Sequence, residues 1–136
     1  MANFSGSLDA NVLLRLLLND LPKQHQAVVK LFLNSSKQFA VADTAIIEII
    51  FVLERNYKFT RSAIVEAIEG LMSLTEINCN RPLFMKALPL FVKRPGFSFE
   101  DCCLATYAEL NDANPLWTFD QKLAKQAANA KLVSDN

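Results

Sequence analysis

Short runs of strand character alternate with runs of helical periodicity along the whole 136-residue chain. No other feature narrows the fold as far, because alternating strands and helices imply crossover units and a mostly parallel sheet. A strand-like segment at about residues 3–8 ends at Asp9, and "NVLLRLLLND" follows with helical apolar spacing. Pro22 interrupts it, and "KQHQAVVKLFLNSS" resumes as a second helix. "QFAVA" reads as a strand; Asp43 or Thr44 can cap the next helix, which runs to about Tyr57. Thr60 is a cap for "TRSAIVEAIEGLMSL", and "LTEIN" alternates like a strand. "RPLFMKALPLFVKR" is helical, with Pro89 expected to kink or break it. A helix from Ser98, the strand "PLWTF", a last helix "DQKLAKQAANA" and a final strand "KLVS" complete the chain. The expected fold is α/β: one domain over residues 1–136, with a central, mostly parallel sheet of about five strands flanked by helices.

Composition excludes several functions. Fourteen basic and fourteen acidic side chains balance, which removes the electrostatic case for broad nucleic-acid binding and leaves only local patches such as Arg15, Lys93 and Arg94. Three glycines cannot build a Walker loop or a dinucleotide-binding turn. The single histidine, His25, has no nucleophile elbow near it, so any enzymatic chemistry rests on carboxylates. The three cysteines lack zinc-ligand spacing and read as reduced, packed thiols. Charges interrupt every apolar run well short of the ~18 residues of a membrane span. The opening "MANFSGSLDAN" has neither the basic start nor the apolar stretch of a signal peptide, so the default expectation is the cytoplasm.

Glu48 is the anomaly. It stands inside "DTAIIEIIFVLE", and none of Thr44, Ala45, Phe51 and Val52, its helical neighbours, is basic. A carboxylate there either points out through a gap in the apolar surface or meets something brought from elsewhere. Three further acids sit where a parallel sheet places function: Asp9 after the first strand, Asp120 after "PLWTF", and Asp101 in the first turn of the preceding helix. If the first strand and "PLWTF" are neighbours, Asp9 and Asp120 face one crevice. Each acid also has a local reading. Asp9 and Asp120 suit N-caps, and "SFED" fits a capping box from Ser98 to Asp101.

Four stretches resemble the motifs of the PIN-domain ribonucleases, particularly the toxin halves of VapBC toxin–antitoxin pairs. They are "LDANVLLRLLLND", "IIEIIFVLER", "FSFEDCCLATYA" and "TFDQKL", in that order and over nearly the full chain. The resemblance implies that Asp9, Glu48, Asp101 and Asp120 bind Mg²⁺ or Mn²⁺, with Asn11 and Thr118 in support. It implies metal-dependent hydrolysis of RNA, a cognate antitoxin and a homodimer. "NVLLRLLL" and "AIVEAIEGLM" could supply the protein-binding surfaces, or could pack the core. Glu100, beside Asp101, has no role in that pattern.

Two other readings follow the same residues. One is a PIN-like module that binds partners without catalysis. The other is a phosphohydrolase or phospho-receiver with Asp9 as nucleophile. The second lacks the Asp-x-Asp of a dehalogenase-like site, since residue 11 is Asn, and lacks a well-placed Lys.

Overall fold

A computed structural model describes residues 3–134. The chain divides into two compact units, Met1–Arg81 and Pro82–Asn136.

The first unit contains β1 (Gly6–Ser7), α1 (Ala10–Leu17), α2 (Pro22–Leu33), β2 (Phe39–Ala40), α3 (Asp43–Arg55), α4 (Arg61–Met72) and β3 (Ile77–Asn78). The strands form one parallel sheet in the order β1-β2-β3, with Gly6 opposite Phe39 and Phe39 opposite Ile77. Parallel neighbours need a crossover, and each crossover here is a pair of helices. The ladder is longer than its two-residue strands. Ser5 N–H donates to Gln38 O at 2.8 Å, Leu8 N–H to Ala40 O at 3.0 Å, and Val41 N–H to Asn78 O at 2.9 Å. Gly6 has φ +139°, a conformation that side chains rarely adopt, and it lies against Phe39.

Pro22 does not merely interrupt a helix; it is the first residue of α2, where a missing N–H costs nothing. Thr60 caps α4 as expected, accepting from Ala63 N–H at 3.1 Å. The α3 cap is different. Ala42 holds the N-cap position without a side-chain bond, and Asp43 is already helical. The Asp43 carboxylate instead accepts from Asn80 Nδ2 at 3.1 Å, tying the start of α3 to the segment after β3. The apolar faces of α1 (Leu13, Leu14) and α4 (Ile64, Ile68, Leu71, Met72) are buried, so they pack the core.

The second unit contains the body of α5 (Arg81–Lys93), then α6 (Phe99–Leu110), β4 (Leu116–Thr118), α7 (Gln121–Gln126) and β5 (Ala130–Leu132). Phe84, Phe91, Phe97 and Phe99 are buried. Phe84 stacks on Phe99 at 6.0 Å, and Phe91 meets the same ring edge-on at 5.4 Å. Pro89 lies on the exposed side of α5 and does not break it. β4 and β5 pair in parallel, with Trp117 opposite Lys131, and α7 is their crossover. Asn129 Nδ2 donates to Ala105 O and to Asn114 Oδ1, both at 2.9 Å, which fixes the approach to β5.

The five strands and their parallel pairing match the expected fold class, with the hydrogen bonding divided into a sheet of three and a sheet of two. β1 pairs with β2 and β4 with β5, so the first strand and "PLWTF" are not neighbours in a ladder. The final helix is also shorter than expected, because Ala127 leaves the helical region with φ −89° and ψ 125°.

Candidate functional site

Glu48 is explained by the arc of α3. Ala45, Ile46, Ile49, Ile50 and Leu53 are buried and form the inner stripe. Glu48, Phe51 and Arg55 follow at spacings of three and four on the outer side, and all three are exposed. The Arg55 guanidinium lies 5.2 Å over the Phe51 ring. No hydrogen bond or ion pair engages the Glu48 carboxylate among the described residues. The side chain reaches water, as the first of the two sequence readings has it, and an exposed carboxylate stays open to a partner brought from elsewhere.

The three aspartates share one device. Asp9 follows β1 by two residues and is the N-cap of α1, its Oδ1 accepting from Val12 N–H at 2.9 Å. Asp120 follows β4 by two residues and is the N-cap of α7, its Oδ1 accepting from Leu123 N–H at 3.0 Å. Asp101 closes a capping box: its N–H donates to Ser98 Oγ at 3.0 Å while its Oδ2 accepts from Ser98 N–H at 3.2 Å. The cap readings are therefore correct for all three. They do not compete with a ligand role, because in each carboxylate the bond to a backbone N–H occupies one oxygen and leaves the other. Asp9 and Asp120 are exposed and Asp101 is half-buried.

Thr118 supports Asp120, although through the main chain: its Oγ1 accepts from Asp120 N–H at 2.9 Å. Asn11 is exposed in the first turn of α1. Glu100 precedes Asp101 in the first turn of α6, where negative charge is favoured by the helix dipole. The donor chemistry suits a hard divalent cation, which takes carboxylate and amide oxygens. Among the described residues, no three His, Cys, Asp or Glu side chains gather into a ready-made metal site.

Arg15 departs from its sequence reading. It was grouped with surface cations able to hold a nucleic-acid backbone, yet it is 7% exposed. Its Nη1 pairs with Asp20 Oδ1 at 2.9 Å and its Nη2 donates to the Tyr57 hydroxyl at 3.2 Å. That hydroxyl donates in turn to Asp20 Oδ2 at 3.2 Å. The bond to Tyr57 raises the Arg15 pKa; burial opposes it and the Asp20 charge adds to it. His25 Nδ1 donates to the Arg15 carbonyl at 2.9 Å, so the single histidine serves this junction. Lys93 and Arg94 remain exposed. Sequence spacing could suggest the Arg15–Asp20 pair but not Tyr57, which is 42 residues away from Arg15.

The cysteines form no disulfide, and Cys102 and Cys103 are buried in α6. Burial raises the Cys79 thiol above its ordinary pKa; Arg81 opposes this and Asp43 adds to it. No helix among the described residues is long and apolar enough to cross a membrane.

Comparison with known proteins identifies the family. The chain is 30% identical over 86 residues to a protein named VapC ribonuclease from Aquifex aeolicus (strain VF5), a match that covers 62% of this chain and 63% of that protein. The matched part is thus under two thirds of the relative's length. A family model described as the PIN domain matches residues 7–129, which includes residues of both units and all four acids. With a match over nine tenths of its length, this chain belongs to the PIN domain family.

Proposed function

We propose that this chain is a divalent-metal-dependent endoribonuclease and the toxin of a toxin–antitoxin pair. What supports the reading is the family membership joined to one observation. Asp9, Asp101 and Asp120 each hold a backbone N–H with one oxygen and keep the second for another use. The relative's name, VapC ribonuclease, supports RNA as the substrate. Asp9, Glu48, Asp101 and Asp120 would hold Mg²⁺ or Mn²⁺. Such an ion supplies charge to polarise a phosphodiester oxygen and activate water for in-line attack. The chain's own part is to present ordered oxygens, with Thr118 fixing the backbone at Asp120 and Asn11 giving a neutral hydrogen-bonding group two residues beyond Asp9. No histidine is needed for such a reaction, in keeping with a His25 engaged at the Arg15 carbonyl. The same reading takes residues 1–136 as one PIN domain, supported by a family model that includes residues of both units. A cognate antitoxin, a homodimeric state and a cytoplasmic setting belong to the same reading.

The test is cleavage of a panel of structured RNAs with Mg²⁺, Mn²⁺ or EDTA, beside the Asp9→Asn variant. Metal-dependent cleavage that the variant loses is the expected result. Cleavage unchanged from wild type in both Asp9→Asn and Asp101→Asn would defeat the reading. Calorimetric titration with Mn²⁺ separates it from a partner-binding module without catalysis: no heat at millimolar metal would favour the module.

A further inference from the structure

One cavity lies wholly within the second unit, between the end of α5, the second half of α6 and the turn after α7. Its volume is 210 Å³, room for about seven water molecules or one small ligand. Leu90, Phe97 and Ala105 give it an apolar lining. Its charged groups differ in sign and come from different elements: Arg94 follows α5, and Glu109 is in the last turn of α6. Glu109 pairs with no cation among the described residues. Thr106 stands one turn before Glu109 on the same side of α6 and is 4% exposed. A helical threonine can bond the carbonyl one turn back. Among the described residues, the Thr106 hydroxyl bonds no group at all. Arg15 Nε is the fully buried side-chain atom left without a partner there, so the Thr106 oxygen is not sealed away; it opens on the cavity that its residue lines. An unpaired hydroxyl in so buried a residue costs free energy that a polar group in the cavity would recover. The end of α7 adds acceptors. The Ala127 N–H is the last to return to that helix, and those of Ala128 and Asn129 do not, so the final carbonyls have no helical partner.

We propose that this cavity binds a free α-amino acid with a mid-sized apolar side chain. Its carboxylate meets Arg94, its ammonium meets Glu109 and Thr106, and its side chain lies against Leu90, Phe97 and Ala105. The proposal goes beyond the nuclease reading and does not depend on it. A guanidinium takes a carboxylate bidentately, while a carboxylate beside a hydroxyl and helix-end carbonyls suits an ammonium. Charge selects the zwitterion. A phosphate or nucleotide would meet Arg94 but also the Glu109 charge, and a plain amine or acid would leave one charged wall unanswered. Size narrows the choice further. Leucine and methionine have about nine non-hydrogen atoms, which suits the space. Tryptophan overfills it, and glycine leaves the apolar lining to water.

Ligands of this size bind with micromolar to millimolar dissociation constants, so the test uses amide correlation spectra of the ¹⁵N-labelled full chain. L-leucine and L-methionine are the probes. Glycine, L-tryptophan, 3-methylbutylamine (leucine without its carboxylate) and 4-methylpentanoate (leucine without its ammonium) are the comparisons. Expected are saturable shifts at Thr106, Glu109, Ala128 and Asn129 with leucine or methionine, and binding at least about 10-fold weaker for the other four. Glu109→Gln weakens leucine binding about 10- to 150-fold, and Thr106→Val about 2- to 10-fold. Thr106→Val keeps its thermal midpoint without ligand, since the hydroxyl it removes has no protein partner. If neither leucine nor methionine shifts these amides at millimolar concentration, the cavity holds water alone and the proposal is overturned. Equal leucine affinity in wild type, Glu109→Gln and Thr106→Val would overturn it too, by moving the contact elsewhere. Neither result bears on RNA cleavage, so the nuclease reading is tested apart.

Discussion

Arg15 and Asp20 stand 2.9 Å apart across the turn that joins α1 to α2, and the Tyr57 hydroxyl closes the triangle from beyond α3. The two members of the pair are unequal. The Arg15 side chain is 9% exposed and that of Asp20 is 43% exposed. The guanidinium Nε is buried without a partner, so Arg15 already carries a desolvation cost. Asp20→Ala removes one of its two compensating partners and is expected to cost about 1–2 kcal/mol, reduced from the fully buried case by solvent at Asp20. Tyr57→Phe removes one shared hydroxyl and should cost about 1 kcal/mol. Arg15→Met, which takes the buried charge away and leaves Asp20 to water, should cost less than Asp20→Ala. Urea unfolding of the three variants checks the order; a costlier Arg15→Met would contradict it.

At Asp9 the roles of cap and reactive group separate by choice of substitution. Asn is about as good an N-cap as Asp, so Asp9→Asn should retain stability within about 0.5 kcal/mol and lose RNA cleavage. Asp9→Ala should lose both, with about 1 kcal/mol of stability gone. Thermal unfolding beside the cleavage assay distinguishes them. Cleavage retained by Asp9→Asn would return Asp9 to a purely structural role.

Cys79 sets a pH dependence. Its folded pKa lies above the ordinary 9.0 because burial penalises the thiolate. The folded state therefore holds this proton more tightly than the unfolded chain. The associated stability is fully present below pH 9 and is lost as pH rises through the folded value. Stability measured from pH 8 upward should fall more steeply for wild type than for Cys79→Ala. Alkylation by iodoacetamide should show its inflection above that of a free thiol. Coincident slopes would refute this.

Gly70 lies within α4, and a Cβ added there would meet nothing within 4 Å. A helical Gly gives up backbone entropy without recompense in packing. Gly70→Ala should therefore stabilise the protein by about 0.5–1 kcal/mol, read as a higher urea midpoint at unchanged slope. An unchanged or lower midpoint would mean that the position serves a contact.

Much of this architecture was legible because it is written locally. Thr60 and Ser98 announce their helices through caps that span three residues. The apolar arc of α3 comes from a 3.6-residue period, and it leaves Glu48 on the outside as directly as it buries Ile49. What escaped depends on partners far away in sequence. Asp43 was expected as a possible cap, yet its carboxylate answers to Asn80, which is 37 residues away. Arg15 reads as a surface cation until Tyr57 arrives. Strand order is equally non-local: nothing in "PLWTF" says that its neighbour is "KLVS" and not the first strand. The exposure of Trp117 on β4 is hidden for the same reason, since an alternating strand shows two faces without saying which one is covered.

The capped carboxylates have a further meaning. A side chain that already holds a helix N–H gave up its rotamer freedom when the helix formed, and folding met that entropy. A ligand arriving at the second oxygen of Asp9 or Asp120 finds an acceptor that is pre-ordered, so less of its intrinsic affinity is lost to immobilising the protein. The same arrangement couples occupancy to helix integrity. Fraying of the first turn of α1 would release the Asp9 carboxylate into many orientations, so loosening of that turn and weakening of ligand affinity would rise and fall together.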